Sequence, residues 1–287
     1  MTVPDFWRSQ LDPERVMNVQ VTHWREDEQQ WREEYLTVEE PFEIRIAGRS
    51  LAVIMRTPGH DFDLALGFLL TEGVIAGAGE VLAIEDATDA DGLPLANVVN
   101  VSLRKSEQSE ALVSRQATFE RHFAVSASCG LCGKNSIDDL MLSLPPLEQG
   151  DVRFSPASIY DLPAKLRAGQ SVFSHTGGLH AAGLFAEDGE LCLLREDVGR
   201  HNAVDKIIGH GMRHGDFPYA RHLLLVSGRT SFEILQKALL ARIPCVAAIS
   251  APSSLAVELA NQAGITLIGF LRGREMNVYT HPERVRK

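Results

Sequence analysis

Two cysteines lie three residues apart in a glycine-rich stretch, SASCGLCGK, which runs from Ser126 to Lys134. A Cys-x-x-Cys pair can hold a structural metal, form a redox disulfide, transfer sulfur, or simply pack. A structural zinc site needs about four ligands. Cys129 and Cys132 supply only two, and the sequence holds no second Cys-x-x-Cys pair. The spacing alone therefore weakens the zinc interpretation and leaves the others open.

The surroundings of the pair favour a reactive thiol. The thiolate is the nucleophile, and helix N-termini and nearby cations lower a cysteine pKa from its usual value of about 8.5. Lys134 follows Cys132 closely, and a helix is predicted to begin at Ser136. Gly130 and Gly133 remove side-chain bulk, so the sulfur can be reached. These features favour sulfur transfer. A thioredoxin-like dithiol predicts the same residues, but that fold needs a preceding strand and a helix that starts at the first cysteine, and this sequence matches it poorly. Proximity to the helix slightly favours Cys132 as the carrier.

The other two cysteines carry no such signal. Cys192 and Cys245 each lie singly in a predicted strand, and we expect both to be small core residues. A deaminase-type zinc site needs His-x-Glu followed later by Pro-Cys-x-x-Cys. Here two alanines follow His180, and the cysteine pair precedes it. No tightly bound structural metal is therefore expected.

A second set of candidates lies where three predicted parallel strands end. Ligands of open parallel sheets bind outside the carboxyl ends of the strands. Helix N-termini favour anions there, and arginine grips phosphate through paired hydrogen bonds. Serine and threonine are also ordinary helix caps, so a purely structural role stays open for each segment. The residues are Ser227, Gly228, Arg229, Thr230 and Ser231, then Ser250 and Ser253, then Leu271, Arg272, Gly273, Arg274 and Glu275.

Two more polar stretches are weaker candidates. REDVGRHNAVDKIIG places Arg200 and His201 beside Gly199 at a turn between a strand and a helix. SHTGGLHAAG places His175 and His180 on either side of a glycine pair. Histidine can act as acid, base or ligand, but charged turns and histidines are also common without chemistry. Both roles stay open.

The first part of the chain is predicted to be β-rich. Alternating apolar residues in PFEIRIAGRSLAVIMR predict a hairpin. A helix capped by Asp61 and ended by Gly73 follows, then a loop over residues 76–95 and strands in NVVNVSL and RHFAVSAS. The residues expected on the inward face of the hairpin are Phe42, Ile44, Ile46, Leu51, Val53 and Met55.

The later part alternates strands and helices. A helix over PASIYDLPAKLRAG, interrupted at Pro163, precedes a hairpin that turns at Asp188 and Gly189. The region 222–271 then reads strand, helix, strand, helix, strand, which right-handed crossovers fold into a parallel sheet. The predicted fold class is α/β, or α+β overall. Its parts are a polar arm (1–36), a β-rich N-terminal lobe (37–125) and an α/β domain (126–287) with a βαβαβ end.

Bulk properties exclude some classes of function. The chain has 287 residues and a formal net charge of −10. That charge argues against a general nucleic-acid binder, which needs a basic face. The sequence shows neither a secretory signal nor an apolar run of about 18 residues. A cytoplasmic protein without membrane insertion is expected.

Taken together, several motifs resemble the formate dehydrogenase accessory sulfurtransferases, the FdhD family. They span about residues 37–284 and include EPFEIRI, TPGHDFDLALGFLLTEGVI, SASCGLCGK, FSHTGGLHAAGLF, REDVGRHNAVDKIIG, SGRTSFEILQKA and GFLRGREMNVYTHPERV. The resemblance implies a cytoplasmic homodimer with a cytidine-deaminase-like α/β C-terminal domain. It also implies that sulfur passes from a cysteine desulfurase, as a persulfide, to the Mo-bis(molybdopterin guanine dinucleotide) cofactor that formate dehydrogenase requires.

The resemblance also assigns residues. It puts the persulfide on Cys129, with Cys132 assisting, and the bound cofactor, as substrate, on Phe270, Leu271, Arg272, Gly273, Arg274 and Glu275. The last five are also the residues reached from the strand ends. We expect the other strand-end residues, with His180, Arg200 and His201, to complete the binding site. A non-catalytic cofactor chaperone and a dithiol redox protein are the alternatives.

Overall fold

The structure is a computed structural model that describes residues 12–104, 145–148 and 150–286. Cys129 and Cys132 lie outside the described residues, as do the strand predicted in RHFAVSAS and the helix predicted from Ser136. Among the described residues, no helix is long and apolar enough to cross a membrane.

The N-terminal part opens with an antiparallel two-stranded ribbon, where the sequence predicted only a polar arm. The ribbon is followed by a four-stranded sheet in the order β4-β3-β6-β5, and by one α-helix. Strand β3 pairs antiparallel with β4 and parallel with β6. The elements are β1 (Val16–Arg25), β2 (Glu28–Thr37), β3 (Glu40–Ile46), β4 (Arg49–Arg56), α1 (Asp61–Thr71), β5 (Val81–Thr88) and β6 (Pro94–Leu103).

The β3–β4 hairpin forms where it was predicted, but the inward face of β4 was predicted wrongly. Val53 and Met55 are 54% and 41% exposed, whereas Leu51 and Ala52 are both buried. The pairing register shifts just after Ile44, so β4 contains one extra residue. A β-bulge of this kind reverses the sides on which the following residues point. The alternation in the sequence therefore continues on the opposite face.

Two other predictions for this part were wrong. The stretch expected to be a loop contains β5, which pairs antiparallel with β6. Asp61 is not the cap of α1 but its first residue, after His60 in a left-handed conformation (φ 61°). The Asp61 carboxylate instead accepts hydrogen bonds from the buried Arg56 guanidinium at 2.9 and 3.0 Å. The predicted end of the helix is confirmed, since Gly73 has a φ of +71°.

The C-terminal part is built on a six-stranded sheet in the order β12-β11-β10-β9-β7-β8. Strands β9, β10 and β11 are parallel and alternate with helices, which confirms the predicted βαβαβ unit. The elements are α2 (Pro156–Gly169), α3 (Ser171–Thr176), β7 (His180–Phe185), β8 (Leu191–Asp197), α4 (Arg200–His214), β9 (Leu223–Val226), α5 (Phe232–Leu240), β10 (Cys245–Ala248), α6 (Ser254–Ala263), β11 (Thr266–Arg272) and β12 (Glu275–Thr280).

Helix α2 runs through Pro163, which was expected to interrupt it. A proline inside a helix removes one backbone hydrogen bond. Here Ile159, Leu162 and Leu166 are all buried against the sheet, and their burial outweighs that loss. The hairpin after α3 turns at Gly189 with a φ of +81°, as predicted.

The two parts are joined where α1 packs on α4. A Cβ atom added at Gly67 would lie 1.9 Å from the carbonyl oxygen of Asp205, and one added at Gly209 would lie 1.8 Å from that of Asp63. The two helix backbones therefore touch without a layer of side chains between them. This contact fixes the N-terminal sheet beside the six-stranded sheet.

Candidate functional site

Five chain segments meet at one edge of the six-stranded sheet. Strands β8, β9, β10 and β11 all run in one direction and end at this edge, and the antiparallel β7 and β12 begin there. The binding residues proposed from the sequence all lie in these segments. They comprise His180, the turn after β8 with Arg200 and His201, the stretches 227–231 and 250–253, and the β11–β12 turn at 270–275. We call this the carboxyl edge.

Gly228 allows two other segments to approach the end of β9. A Cβ at this position would lie 3.3 Å from His180 Nδ1 and 3.9 Å from Arg200 Cδ. The preceding residue fixes the arrangement, because Ser227 Oγ accepts a hydrogen bond from the Ala181 amide at 2.9 Å. His180 and Arg200 thus flank a stretch of backbone that a ligand can approach closely.

Two buried side-chain atoms at this edge have no hydrogen-bond partner among the residues that the structure describes: Arg200 Nε and Thr230 Oγ1. The Thr230 backbone is held firmly, since its amide donates to Ala251 at 3.3 Å and its carbonyl accepts from Ser253 at 3.0 Å. A buried polar group left without a partner costs about 1–3 kcal/mol. A bound anion would supply a partner for Arg200 Nε, so this residue fits an anionic ligand.

Two neutral histidines stand beside Arg200. His201 Nε2 lies 3.3 Å from Ser231 Oγ and 3.9 Å from a carboxylate oxygen of Glu233. Burial, and then the positive charge of Arg200, lower the pKa of His201 to about 4. The same two causes lower the pKa of His180. Near pH 7 both rings are neutral, so each can donate or accept a hydrogen bond without adding charge.

Three helices begin at the carboxyl edge, each directly after a glycine or a serine. Gly199 precedes α4 and Ser231 precedes α5, and neither gives a side-chain cap. Ser253 caps α6 by accepting a hydrogen bond from the Ala256 amide at 3.2 Å. The first amides of a helix have no partner within the helix and attract anions. The edge therefore presents several anion-binding groups at once.

The β11–β12 turn supplies two exposed arginines. Arg272 Nε donates to the Ile249 carbonyl at 3.4 Å, and the Arg274 guanidinium lies 5.5 Å from the centre of the Tyr160 ring. The turn is joined to the end of β10, because the Phe270 amide donates to the Ser250 carbonyl at 3.1 Å. Gly273 and Glu275 are exposed in the same turn.

A buried ion pair holds the turn that carries Arg200. Asp197 is fully buried, and one of its carboxylate oxygens lies 2.7 Å from Lys206 Nζ. The other oxygen accepts from the Gly199 amide at 2.8 Å and from Asn202 at 2.9 Å. Lys206 also donates to the Thr57 carbonyl at 2.8 Å, so the N-terminal part helps to fix this turn.

Sequence reasoning noticed the charged run 195–197 but missed this role. Its signal was the position of Arg195, Glu196 and Asp197 at the end of an otherwise apolar strand, where all three are buried. The partner on the N-terminal side, Thr57, lies 140 residues away from Asp197 in sequence. No local pattern could supply that pairing.

One group of described residues has the composition of a metal site: Asp63, His210 and His214. Asp63 already accepts hydrogen bonds from Arg213 at 2.8 Å and from Arg195 at 3.2 Å. Arg195 also contacts His210 Nδ1 at 2.9 Å. A metal ion here would meet two guanidinium charges, so this group is assigned to ion pairing.

The two described cysteines differ from each other. Cys245 is buried, as expected, and burial raises the pKa of its thiol to about 12. Cys192 is exposed, so its prediction as a core residue was wrong. The β7–β8 pairing skips Cys192, because Leu184 lies opposite Leu193 and Phe185 lies opposite Leu191. Cys192 is therefore the extra residue of a β-bulge in an edge strand. Burial still raises the pKa of Cys192, and neither thiol matches a low-pKa sulfur centre.

These observations define an α/β protein whose carboxyl edge gathers groups suited to an anion, and comparison with known proteins gives its family. The model of the FdhD/NarQ family matches residues 37–286. The chain belongs to this family. The match begins at the end of the β1–β2 ribbon, so the ribbon precedes the matched region.

Curated relatives cover almost all of their own length. A sulfur carrier protein FdhD from Streptomyces coelicolor is 51% identical over 258 residues, which cover 88% of this chain and 90% of the relative. One from Mycobacterium tuberculosis is 46% identical over 271 residues, covering 92% and 96%. One from Sulfolobus acidocaldarius is 41% identical over 271 residues, covering 94% and 99%.

A solved structure shows the same fold. The crystal structure from Desulfotalea psychrophila, of a protein assigned as a formate dehydrogenase accessory protein, superposes with a TM-score of 0.73. The alignment covers 95% of this chain and all of that one, at 23% identity. The mixed α/β fold class is confirmed. The roles of Cys129, Cys132 and the carboxyl-edge residues stay predictions.

Proposed function

We propose that this protein is a sulfur carrier for the maturation of formate dehydrogenase. Cys129 accepts sulfur from a cysteine desulfurase as a persulfide, and Cys132 assists. The sulfur is delivered to Mo-bis(molybdopterin guanine dinucleotide), which the carboxyl edge holds as substrate. Relatives named sulfur carriers, matched over nearly their whole length, support the general role.

One observation carries the proposal that the carboxyl edge binds the cofactor. Arg200 Nε, beside Gly228, is buried and has no hydrogen-bond partner in the described part of the chain. The proposed substrate contains two guanine dinucleotides and therefore several phosphates. Arg200 would hold one phosphate, with the first amides of α4 and α5 as further donors. Arg272 and Arg274 would add charge from the neighbouring turn. His180 and His201, both neutral, would donate hydrogen bonds without first taking up a proton.

The sulfur transfer can be written as a balanced reaction with the two thiols of the Cys-x-x-Cys pair. The Cys129 thiolate attacks the outer sulfur of the desulfurase persulfide, so a new S–S bond forms on Cys129 and the donor leaves as a thiolate. Attack by the Cys132 thiolate on the inner sulfur then forms a Cys129–Cys132 disulfide and releases the outer sulfur as hydrosulfide. A thiol reductant returns the pair to its starting state.

Mass spectrometry after incubation with a cysteine desulfurase and L-cysteine tests the carrier. We expect one added sulfur on the peptide that contains Cys129, and none in Cys129→Ala. Cys192→Ala is the matched control, because it removes an exposed thiol that does not belong to the Cys-x-x-Cys pair. This variant should take up as much sulfur as the wild type. Loading of Cys129→Ala at the wild-type level would show that another residue carries the sulfur.

Maturation of formate dehydrogenase separates sulfur transfer from chaperoning. The dehydrogenase matured with Cys129→Ala should be inactive, although the cofactor still binds to the carrier. An active dehydrogenase would favour a non-catalytic cofactor chaperone. Stoichiometric zinc in the purified protein would point the same way, since zinc would occupy the thiols.

A further inference from the structure

The β1–β2 ribbon is attached to the rest of the chain at its base. Each strand has ten residues, which at about 3.4 Å per residue gives a length of roughly 34 Å. At the base, Val16 is buried in a small cluster with Val172 and Leu179, and Tyr35 packs against it. The outer residues 24–33 are all exposed. An isolated two-stranded ribbon is only marginally stable in water, so its outer half would gain from a partner.

Two tryptophans share one face of this outer half. Trp24 and Trp31 are 60% and 73% exposed. Trp31 lies opposite Thr22, two positions before Trp24 on β1, so the two rings are diagonal neighbours on the same side. Tryptophan is the residue type most enriched at the energetic centres of protein interfaces. The ribbon thus presents an aromatic pair of the kind that a partner's groove would bury.

The charge around the pair indicates the chemistry of the partner. The ribbon carries five carboxylates and two arginines, a formal net charge of −3. The ribbons of two copies would bring like charges together if they met tip to tip. A basic surface would be attracted. The charged residues are Arg25, Glu26, Asp27, Glu28, Arg32, Glu33 and Glu34.

The base of the ribbon lies beside the start of β7 at the carboxyl edge. Thr37 Oγ1 donates to Thr176 Oγ1 at 2.8 Å, and a Cβ at Gly178 would lie 2.9 Å from Thr37 Oγ1. Gly178 is two residues before His180. A protein gripped by the ribbon is therefore held next to the edge where the substrate would sit.

We propose that the ribbon is a docking arm for the enzyme that receives the sulfurated cofactor. Trp24 and Trp31 enter an apolar groove on a basic surface of the apo-formate dehydrogenase, and the carboxylates around the turn guide its approach. The identity of this partner rests on the proposed function. The use of the tryptophan face for docking rests on the ribbon itself.

Binding of the full-length protein to purified apo-formate dehydrogenase from the same organism tests the arm. Trp24→Thr/Trp31→Thr keeps residues that favour strands and should weaken affinity at least tenfold. The matched control is Leu82→Thr/Leu93→Thr, which removes two side chains that are 58% and 63% exposed elsewhere. Affinity of this control should stay within twofold of the wild type. Circular dichroism verifies that both variants fold.

A charge-reversal variant tests the guidance separately. Glu26→Lys/Asp27→Lys/Glu28→Lys changes the net charge of the ribbon from −3 to +3, so association should become slower and its dependence on salt should reverse, because steering by charge acts on the association rate. Faster association of this variant would show that the partner surface is acidic, and would overturn the proposal.

Two further results would overturn it. One is equal affinity of the tryptophan variant and the wild type. The other is unchanged affinity together with a shift from dimer to monomer in sedimentation velocity, because the tryptophans would then contact a second copy. Sulfur loading of Cys129, measured on the same variants, keeps the proposals apart. If Cys129 takes up sulfur but the affinity for the dehydrogenase does not depend on the tryptophans, only the docking proposal is refuted. If Cys129 takes up no sulfur, the proposed function is refuted.

Discussion

The junction between α1 and α4 and the carboxyl edge of the six-stranded sheet satisfy buried polar groups in opposite ways. At the junction, Lys237 Nζ lies 2.9 Å from both carboxylate oxygens of the buried Asp205 and 2.7 Å from Thr71 Oγ1. At the edge, Arg200 Nε and Thr230 Oγ1 are buried, and none of the described residues is a hydrogen-bond partner for them. Helix α4 contributes to both regions. The junction is completed by the chain itself, whereas the edge leaves two polar atoms for the proposed ligand.

The largest expected effect breaks the junction. Alanine normally stabilises a helix relative to glycine by about 1 kcal/mol, but Gly209→Ala places a methyl group 1.8 Å from the Asp63 carbonyl oxygen. A backbone atom cannot rotate away, so we expect loss of the folded protein, measured by soluble yield and thermal denaturation. Gly79→Ala is the control, since nothing lies within 4 Å of its new Cβ. A normally folded Gly209→Ala would contradict the backbone contact.

The next effect removes one partner from a buried pair. Lys237→Met leaves the Asp205 carboxylate buried without its cation, and breaking such pairs costs about 3–5 kcal/mol. Urea denaturation should show this loss, and Asp205→Leu/Lys237→Met should recover most of it. Arg221→Ala breaks an exposed pair with Asp151 and should cost less than about 1 kcal/mol. A similar small loss in Lys237→Met would mean that the pair is hydrated.

At the edge the same kind of change should affect binding instead of stability. Arg200→Met removes a half-buried guanidinium whose buried Nε has no hydrogen-bond partner among the described residues, so the free energy of unfolding should not fall. A hydrogen bond to a charged group is worth about 1.5–3 kcal/mol, so GDP, as a probe of the substrate, should bind roughly 10- to 100-fold more weakly. Calorimetry measures both quantities. If Arg200→Met instead lowered the free energy of unfolding and left the GDP affinity unchanged, Arg200 would stabilise the fold and would not bind the ligand.

Acidification should lower the free energy of unfolding through His201, which lies at the carboxyl edge. Its pKa is about 4 in the folded protein, below the ordinary value of 6.5. Between these two pH values the unfolded chain binds a proton that the folded chain does not, so stability falls as the pH drops from 6.5 towards 4. His201→Gln should flatten the decline of Tm with pH. His60, whose pKa burial also lowers to about 4, contributes in the same direction. Parallel Tm profiles for His201→Gln and the wild type would exclude His201 as a source.

The smallest effect concerns the exposed arginines of the β11–β12 turn. Arg272→Ala and Arg274→Ala should each weaken GDP binding by no more than about tenfold, because solvent screens exposed charges. Sulfur loading of Cys129 should stay intact in both variants. Unchanged GDP affinity would remove these two residues from the site.

The parts of the fold that could be predicted from the sequence rest on local patterns. Apolar runs predict β9, β10 and β11, and right-handed crossovers leave one arrangement for the helices between them. That topology is enough to bring Ser227, Ser250 and Arg272 to one edge. Their chemistry could therefore be proposed before any distance was known.

The parts that could not be predicted depend on long-range partners. The stretch around Val81 is rich in alanine and acidic residues, which are uncommon in strands, yet pairing with β6 makes it a strand. The side reversal in β4 follows from a bulge opposite Ile44, which alternation alone cannot reveal. Asp197 finds its partners Thr57 and Lys206 only in the folded chain.

Leu271 has a consequence for the energetics of ligand binding. It is fully buried between two exposed neighbours, Phe270 and Arg272, where the β11–β12 register shifts and Phe270 has a φ of 53°. A slip of β11 by one residue would draw Leu271 out of the core and bury a charged or bulky neighbour. The turn is thereby preorganised, and Arg272 and Arg274 start from a fixed backbone. Binding then loses little conformational entropy there, so more of each contact's free energy remains as affinity.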